Sequence, residues 1–228
     1  MAISIDTVYQ RVLALANKEQ RGYITPQEFN LFANQAQQEI FEQYFYDTNQ
    51  FARVPGNDTV YADIDDMLEE KMQFFQGATI VSGNMSSVQD LYRIYRVELN
   101  NVDCEIFRTK DFNDSLQGGP LTKPSITRPI ANIRNNTLRV SNGSGVTTTA
   151  TIFYFRKPKK VEWGYFVIND KALHDSSATK TTDFELHASE ESELVYRILA
   201  LAGITLQKPQ LTQTAAGLNQ LMTQQEKQ

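Results

Sequence analysis

Apolar residues in this chain recur at helical spacing near both ends and at strand spacing in between. That switch of period is what most narrows the folds open to it. At the N-terminal end Ile5, Val8, Val12 and Leu15 fall on one stripe, widened by Tyr9, Leu13 and Ala16. They predict an amphipathic helix, with Ser4 or Asp6 placed to cap it and Gly22 just beyond its end. A second helix carries the clearest start signal. Thr25-Pro26-Gln27-Glu28 sets a capping Thr, a Pro at the first helical position and a Glu three residues after the cap. This helix runs through Phe29, Phe32, Ala33, Ala36, Ile40 and Phe41 to about Tyr46, with Gln35, Gln37, Gln38, Glu39 and Glu42 on its other faces. A third is predicted over 64–75, with Met67, Leu68, Met72 and Phe75 on one face.

From 91 to 168 the pattern becomes strand-like. Residues 91–99 are rich in β-formers and partly alternating, 138–140 follow the turn-prone pair Asn135-Asn136, 148–156 form the strongest strand, and 163–168 form another. Gly118-Gly119-Pro120 and 142–145 read as loops. Helix returns after Ser189, where Glu190, Glu191 and Glu193 sit in a first turn that favours negative charge. Leu194, Val195, Ile198, Leu199, Leu201 and Ala202 then make an apolar segment ending near Gly203. The remaining tail, 208–228, is Gln-rich, with a thin stripe of Leu211, Ala215, Leu218 and Met222 that needs a partner to stay helical.

These elements predict an α+β fold. N- and C-terminal helices form one helical bundle, discontinuous in sequence over 1–90 and 183–228, and a β-rich insertion over 91–182 projects from it. Leu13, Phe32, Ile40, Val195 and Leu199 are expected to be buried together. No internal repeat is present.

A net charge of −5 argues against a general nucleic-acid binder, which needs a basic excess to displace counterions. It suits a wall past which DNA slides without sticking. With 13 Phe and 10 Tyr, the chain has aromatic surface to spare for subunit contacts. The single cysteine, Cys104, allows no internal disulfide and no Cys-based zinc site. No apolar run is long enough to span a bilayer, and the first residues lack the pattern of a signal peptide.

No catalytic constellation stands out, and the chain reads as a non-enzyme without cofactor or metal. No G-x-S-x-G, P-loop or G-x-G-x-x-G is present. Residues 17–28 imitate a calcium loop through Gly22, Ile24 and Glu28. However, Arg21 stands where an oxygen donor is needed and Glu19 replaces an Asp, while a capping box accounts for Thr25 and Glu28 without metal. His174 and His187 have no His or Cys at ligand spacing. Asp63, Asp65, Asp66, Glu69 and Glu70 form an acidic cluster. It could bind magnesium or work as acid and base, but a solvated helix face explains it as well. The only dense basic run is Arg156-Lys157-Pro158-Lys159-Lys160, either an exposed loop or a contact with an acidic neighbour or with DNA.

Three stretches carry a resemblance: 9–46 (YQRVLALANKEQRGYITPQEF and onward), the basic run through Trp163, and 183–206 (DFELHASEESELVYRILALAGITL). Together they resemble small structural proteins of podoviruses and crAss-like phages, the head-to-tail ring or adaptor proteins. They cover less than half of the chain, and 92–151 has no counterpart. The resemblance implies a virion structural protein that forms a homo-oligomeric ring of twelve copies below the portal, bridging capsid to tail. It implies partners in the portal protein and a neighbouring tail ring or tail tube, and DNA passing through the lumen without sequence readout. It implies a place in the virion neck, after assembly in a host cytoplasm, and no membrane contact. On this reading Arg156, Lys157, Lys159, Lys160, Leu211, Leu218 and Met222 are the expected assembly contacts. The competing readings are a receptor- or host-binding tail module, and a metal-dependent enzyme or regulator using the acidic cluster.

Overall fold

A computed structural model describes residues 3–16, 24–51, 59–169, 171–177, 179–205, 213–218 and 220–221. The fold is α+β. The chain divides into two compact units, one of Met1–Phe74 with Pro158–Gln228 and one of Phe75–Lys157. The expected insertion over 91–182 therefore starts and ends too late. A strand at 76–82, absent from the expected elements, pairs along its whole length with 149–155. The segment after Lys157 returns to the first unit.

In the first unit α1 (Ile5–Ala16) buries Ile5, Val8, Tyr9, Val12 and Ala16. Leu15 is exposed and Leu13 only half-buried, so the buried stripe is rotated from the expected one. The cap is remote in sequence: the Ile5 amide donates to Asp183 Oδ1 at 2.9 Å, and Phe184 N donates to Ile3 O. No local signal could reveal an acceptor 178 residues away. In α2 (Pro26–Phe51) the capping box forms as read. Glu28 N donates to Thr25 Oγ1 at 3.3 Å, while Thr25 N and Oγ1 donate to Glu28 Oε2 at 3.0 and 2.7 Å. Those bonds hold the Glu28 carboxyl below its usual range. The helix continues past Tyr46 because nothing between 46 and 51 breaks it, and Tyr44 and Asp47 are buried there.

Helix α3 (Thr59–Met72) ends in a 3₁₀ turn, Gln73–Phe75. Leu68 and Phe75 are buried, but Met67 is exposed. Helix α5 (Glu191–Thr205) follows a 3₁₀ turn (Ala188–Glu190) capped by His187, whose Nδ1 accepts from Ser189 N. It packs against both α1 and α2 and buries Leu194, Val195, Ile198, Leu199 and Ala202. Of the five residues expected in a shared core, Ile40, Val195 and Leu199 are buried, whereas Leu13 and Phe32 are partly exposed. The glutamates at the start of this helix do more than meet a dipole. Buried Glu190 pairs with Lys71 at 2.6 Å, Glu193 binds Arg197, and Glu191 meets Arg11 at 2.9 Å. Strands β9 (Tyr165–Ile168) and β10 (Lys171–His174) form a separate hairpin.

The second unit holds two four-stranded sheets. The first has the order β1 (Gln76–Ser82), β8 (Thr149–Arg156), β2 (Leu91–Leu99), β3 (Val102–Asp103). The second has the order β4 (Glu105–Phe107), β5 (Ile130–Arg134), β6 (Thr137–Ser141), β7 (Val146–Thr147). Asn100-Asn101 and Asn135-Asn136 take positive φ between paired strands, the left-handed pair a two-residue hairpin demands. Helix α4 (Thr109–Gln117) carries the crossover between parallel β4 and β5 and buries Phe112. Its sequence, TKDFNDSLQ, has too few apolar residues to announce a helix.

Val81, Val97, Leu138, Val140, Ile152 and Cys104 lie in the core of this unit. Desolvation pushes the Cys104 thiol up to about 11, against an opposing backbone hydrogen bond from Leu99. At neutral pH the thiolate is then on the order of a hundredfold scarcer than for a free cysteine, and the thiolate is the reactive form. Ellman's reagent should label the native protein markedly more slowly than the urea-unfolded chain. Similar rates would contradict this burial.

Candidate assembly surface

The basic run crosses the division between the units. Arg156 ends β8 and Lys157 follows it, both in the second unit. The Lys157 amide donates to Asp90 O at 2.7 Å, and the residue lines an open pocket of 370 Å³ with Met85, Ser86, Val88 and Leu91. Lys159 and Lys160 begin the returning segment of the first unit, where both are exposed.

That segment is held by side-chain amides of α2. Asn30 Oδ1 accepts from Trp163 N at 2.8 Å, and its Nδ2 donates to Trp163 O at 3.4 Å. One turn on, Asn34 Oδ1 accepts from Val161 N at 3.0 Å, and its Nδ2 donates to Val161 O at 2.8 Å. Gln37 Nε2 donates to Lys159 O at 2.8 Å, and its Oε1 accepts from Glu185 N at 3.1 Å. The bonded residues, 159, 161 and 163, alternate along an extended chain, and the amides on the helix do what a neighbouring strand would do. Glu185 completes the fastening. Its carboxylate accepts from Lys159 N at 2.9 Å and lies 3.6 Å from Lys159 Nζ. From Lys159 to Trp163 the chain is thus neither a loose loop nor a strand of a named sheet. It is a strap with a fixed backbone and cationic side chains in solvent.

Sequence reasoning put Gln37 on an outer face, but it is buried. Asn30, Asn34 and Gln37 recur at helical spacing beside Phe29, Ala33, Ala36 and Ile40. Asn is a poor helix-interior residue, which is the one signal that could have exposed the ladder.

At the far end of the strap Trp163 is buried against Tyr9, with ring centroids 4.2 Å apart, and stacks on His174 at 5.5 Å. Its Nε1 donates to Asp6 Oδ1 at 2.9 Å. Asp6 also lies 3.9 Å from His174 Nδ1, and Thr181 Oγ1 lies 3.4 Å from His174 Nε2. This places a hydroxyl and a carboxylate near opposite nitrogens of one imidazole, a grouping invisible in sequence. Thr181, however, donates its proton to Asp175 O at 2.5 Å, and its oxygen accepts from Gly164 N. The hydroxyl is thus committed to the loop that follows β10. The same loop is closed by Lys180, whose ammonium beside Asp175 holds that carboxyl down to about 2.

Of the other expected contacts, Leu218 is 38% exposed on a helical stretch over 213–218, while Leu211 and Met222 lie outside the described residues. Ala215, on the same stripe, is buried by the chain itself, so only part of that stripe faces solvent. Residues 17–23 of the calcium-loop imitation also lie outside the described residues. In the acidic cluster Asp66, Glu69 and Glu70 are exposed on α3, and the side chains of Asp63 and Asp65 are not described. Among the described residues no three of His, Cys, Asp and Glu converge on a metal-sized site, and no helix is long and apolar enough to cross a membrane. The chain matches no protein-family model and no curated protein.

Proposed function

We propose that this chain is a virion structural protein without enzymatic activity. Copies form a head-to-tail adaptor ring below a portal, bridge capsid to tail and line part of the DNA conduit. The observation that carries the proposal is the strap: Lys159 and Lys160 are exposed on a backbone fixed by Asn34, Gln37 and Glu185. A preset pair of cations can dock on an acidic neighbour without a loop having to be ordered at that moment. The next element, β9–β10, adds apolar side chains in solvent, namely Phe166, Val167, Ile168 and Leu173. Exposed cations and exposed apolar residues on one unit suit the rim and core of a protein contact. The net negative charge suits a lumen that repels DNA. The resemblance to podovirus and crAss-like adaptors supplies the place in the particle.

Reversing Lys157, Lys159 and Lys160 to Glu should leave the fold of the free chain intact and abolish its incorporation into necks assembled in infected cells. Neck assembly at the wild-type level would count against the docking role. A reconstruction of the virion neck without density for this chain would remove the proposal altogether.

A further inference from the structure

Strand β1 stands apart from the other strands that end a sheet in the second unit. Strands β3, β4 and β7 are two or three residues long. The part of β2 not covered by β3 carries Arg93 and Arg96 and is broken by two register shifts. Short strands, charges and bulges are the usual means of keeping a sheet edge from adding further strands. Strand β1 has none of them. It is seven residues of QGATIVS, with no charge and no proline, in unbroken register with β8, and Ile80 on it is 72% exposed.

The hydrogen-bond phase shows which groups face outward. Gly83 N donates to Thr148 O at 2.7 Å, continuing the β1–β8 register. By the alternation of an antiparallel ladder, the odd-numbered residues of β1 bond to β8, and the peptide groups of Gln76, Ala78 and Ile80 and the N–H of Ser82 point to the open edge, while the Ser82 carbonyl accepts from Asn84 N at 3.1 Å.

We propose that this edge takes β1 of a second copy of the chain, antiparallel across a two-fold axis at Thr79, joining two four-stranded sheets into one of eight. The register follows from parity and length. Setting Ala78 opposite Ile80 of the second copy, and Gln76 opposite Ser82, is the alignment that overlaps all seven residues and brings only outward-facing peptides together. It keeps the side chains in phase as well, so the apolar Ile80 lies beside Ala78 and no like charges meet at the axis. Self-complementarity of this kind is what an isologous contact requires. The contact closes on itself and cannot by itself generate a ring. It therefore does not rest on the adaptor reading, and each can fail without the other.

Thr79 meets its own copy at a non-hydrogen-bonded position, where opposite Cα atoms are about 4.5 Å apart. That separation lies within reach of a disulfide. In the full-length chain Thr79→Cys should form a reducible dimer under mild oxidation, while Ile80→Cys should not, because the two residues 80 are offset along the strands beyond disulfide reach. Sedimentation equilibrium of the wild type should show a dimer. Ala78→Pro removes an outward amide that no described residue uses, and should give a monomer with unchanged circular dichroism and melting. If that variant misfolds, Ile80→Lys serves the same purpose. A wild-type monomer at all accessible concentrations would overturn the proposal. So would a dimer that survives both substitutions, or equal cross-linking at positions 79 and 80.

Discussion

Leu199→Ala is expected to lower the stability of the first unit by about 2–5 kcal/mol, the range for removing a buried leucine and leaving a cavity. Leu199 is buried on α5, which packs against both α1 and α2, so the space lies where the two ends of the chain meet. Collapse around it is limited. Arg197, on the same helix, is tied to Glu193 at 2.8 Å and lies 3.6 Å from Glu39 of α2, and Glu190 is tied to Lys71 of α3. The chain has one tryptophan, Trp163, and it belongs to this unit. Its fluorescence in a urea titration therefore follows this unit, even if the β unit unfolds separately. The control is Leu31→Ala, on α2 but 71% exposed, which should change stability by no more than about 0.5 kcal/mol. Equal effects from the two substitutions would rule out a core shared by the two ends.

What could be read in advance follows from the range over which each signal acts. The capping box at Thr25 is complete within four residues, so it was legible to the atom. Strands β2 and β8 carry enough Val, Ile, Tyr and Phe to be recognised alone, and β6 is marked by the turn pair Asn135-Asn136 ahead of it. Strand β1 does not, because QGATIVS is a strand by virtue of lying along β8, and missing it displaced the expected boundary from 75 to 91. The stripe on α1 was read out of phase at its end because Leu15 is apolar and Ala16 barely so. Burial there is set by tertiary packing, not by hydrophobicity.

The candidate site was legible as a charge run and no further. Its fixed backbone comes from pairings over 122 to 133 residues, and its aromatic end joins Asp6, Trp163 and His174 from three separate segments. Nothing within a local window distinguishes such a strap from a solvated loop.

Asn34→Ala tests that strap directly. Asn34 is the middle rung, and it alone satisfies both backbone groups of Val161, a residue only 2% exposed. Removing the amide leaves one buried N–H and one buried C=O without partners, at about 1–3 kcal/mol each. Alanine returns at most about 0.7 kcal/mol through its better helix propensity. The net loss should therefore be large for a change that removes no apolar contact. Exchange of the Val161 and Trp163 amides should accelerate more than that of amides in α5, because the strap opens before the helices separate. Gln35→Ala is the matched control, since the exposed Gln35 bonds only to Glu39 on its own helix. If Asn34→Ala also lowers neck incorporation without altering any charge, the fixed backbone beneath Lys159 and Lys160 matters as much as the cations themselves. If Val161 exchanges as slowly in Asn34→Ala as in the wild type, the amide ladder does not hold the segment, and the preset geometry assigned to its lysines falls with it.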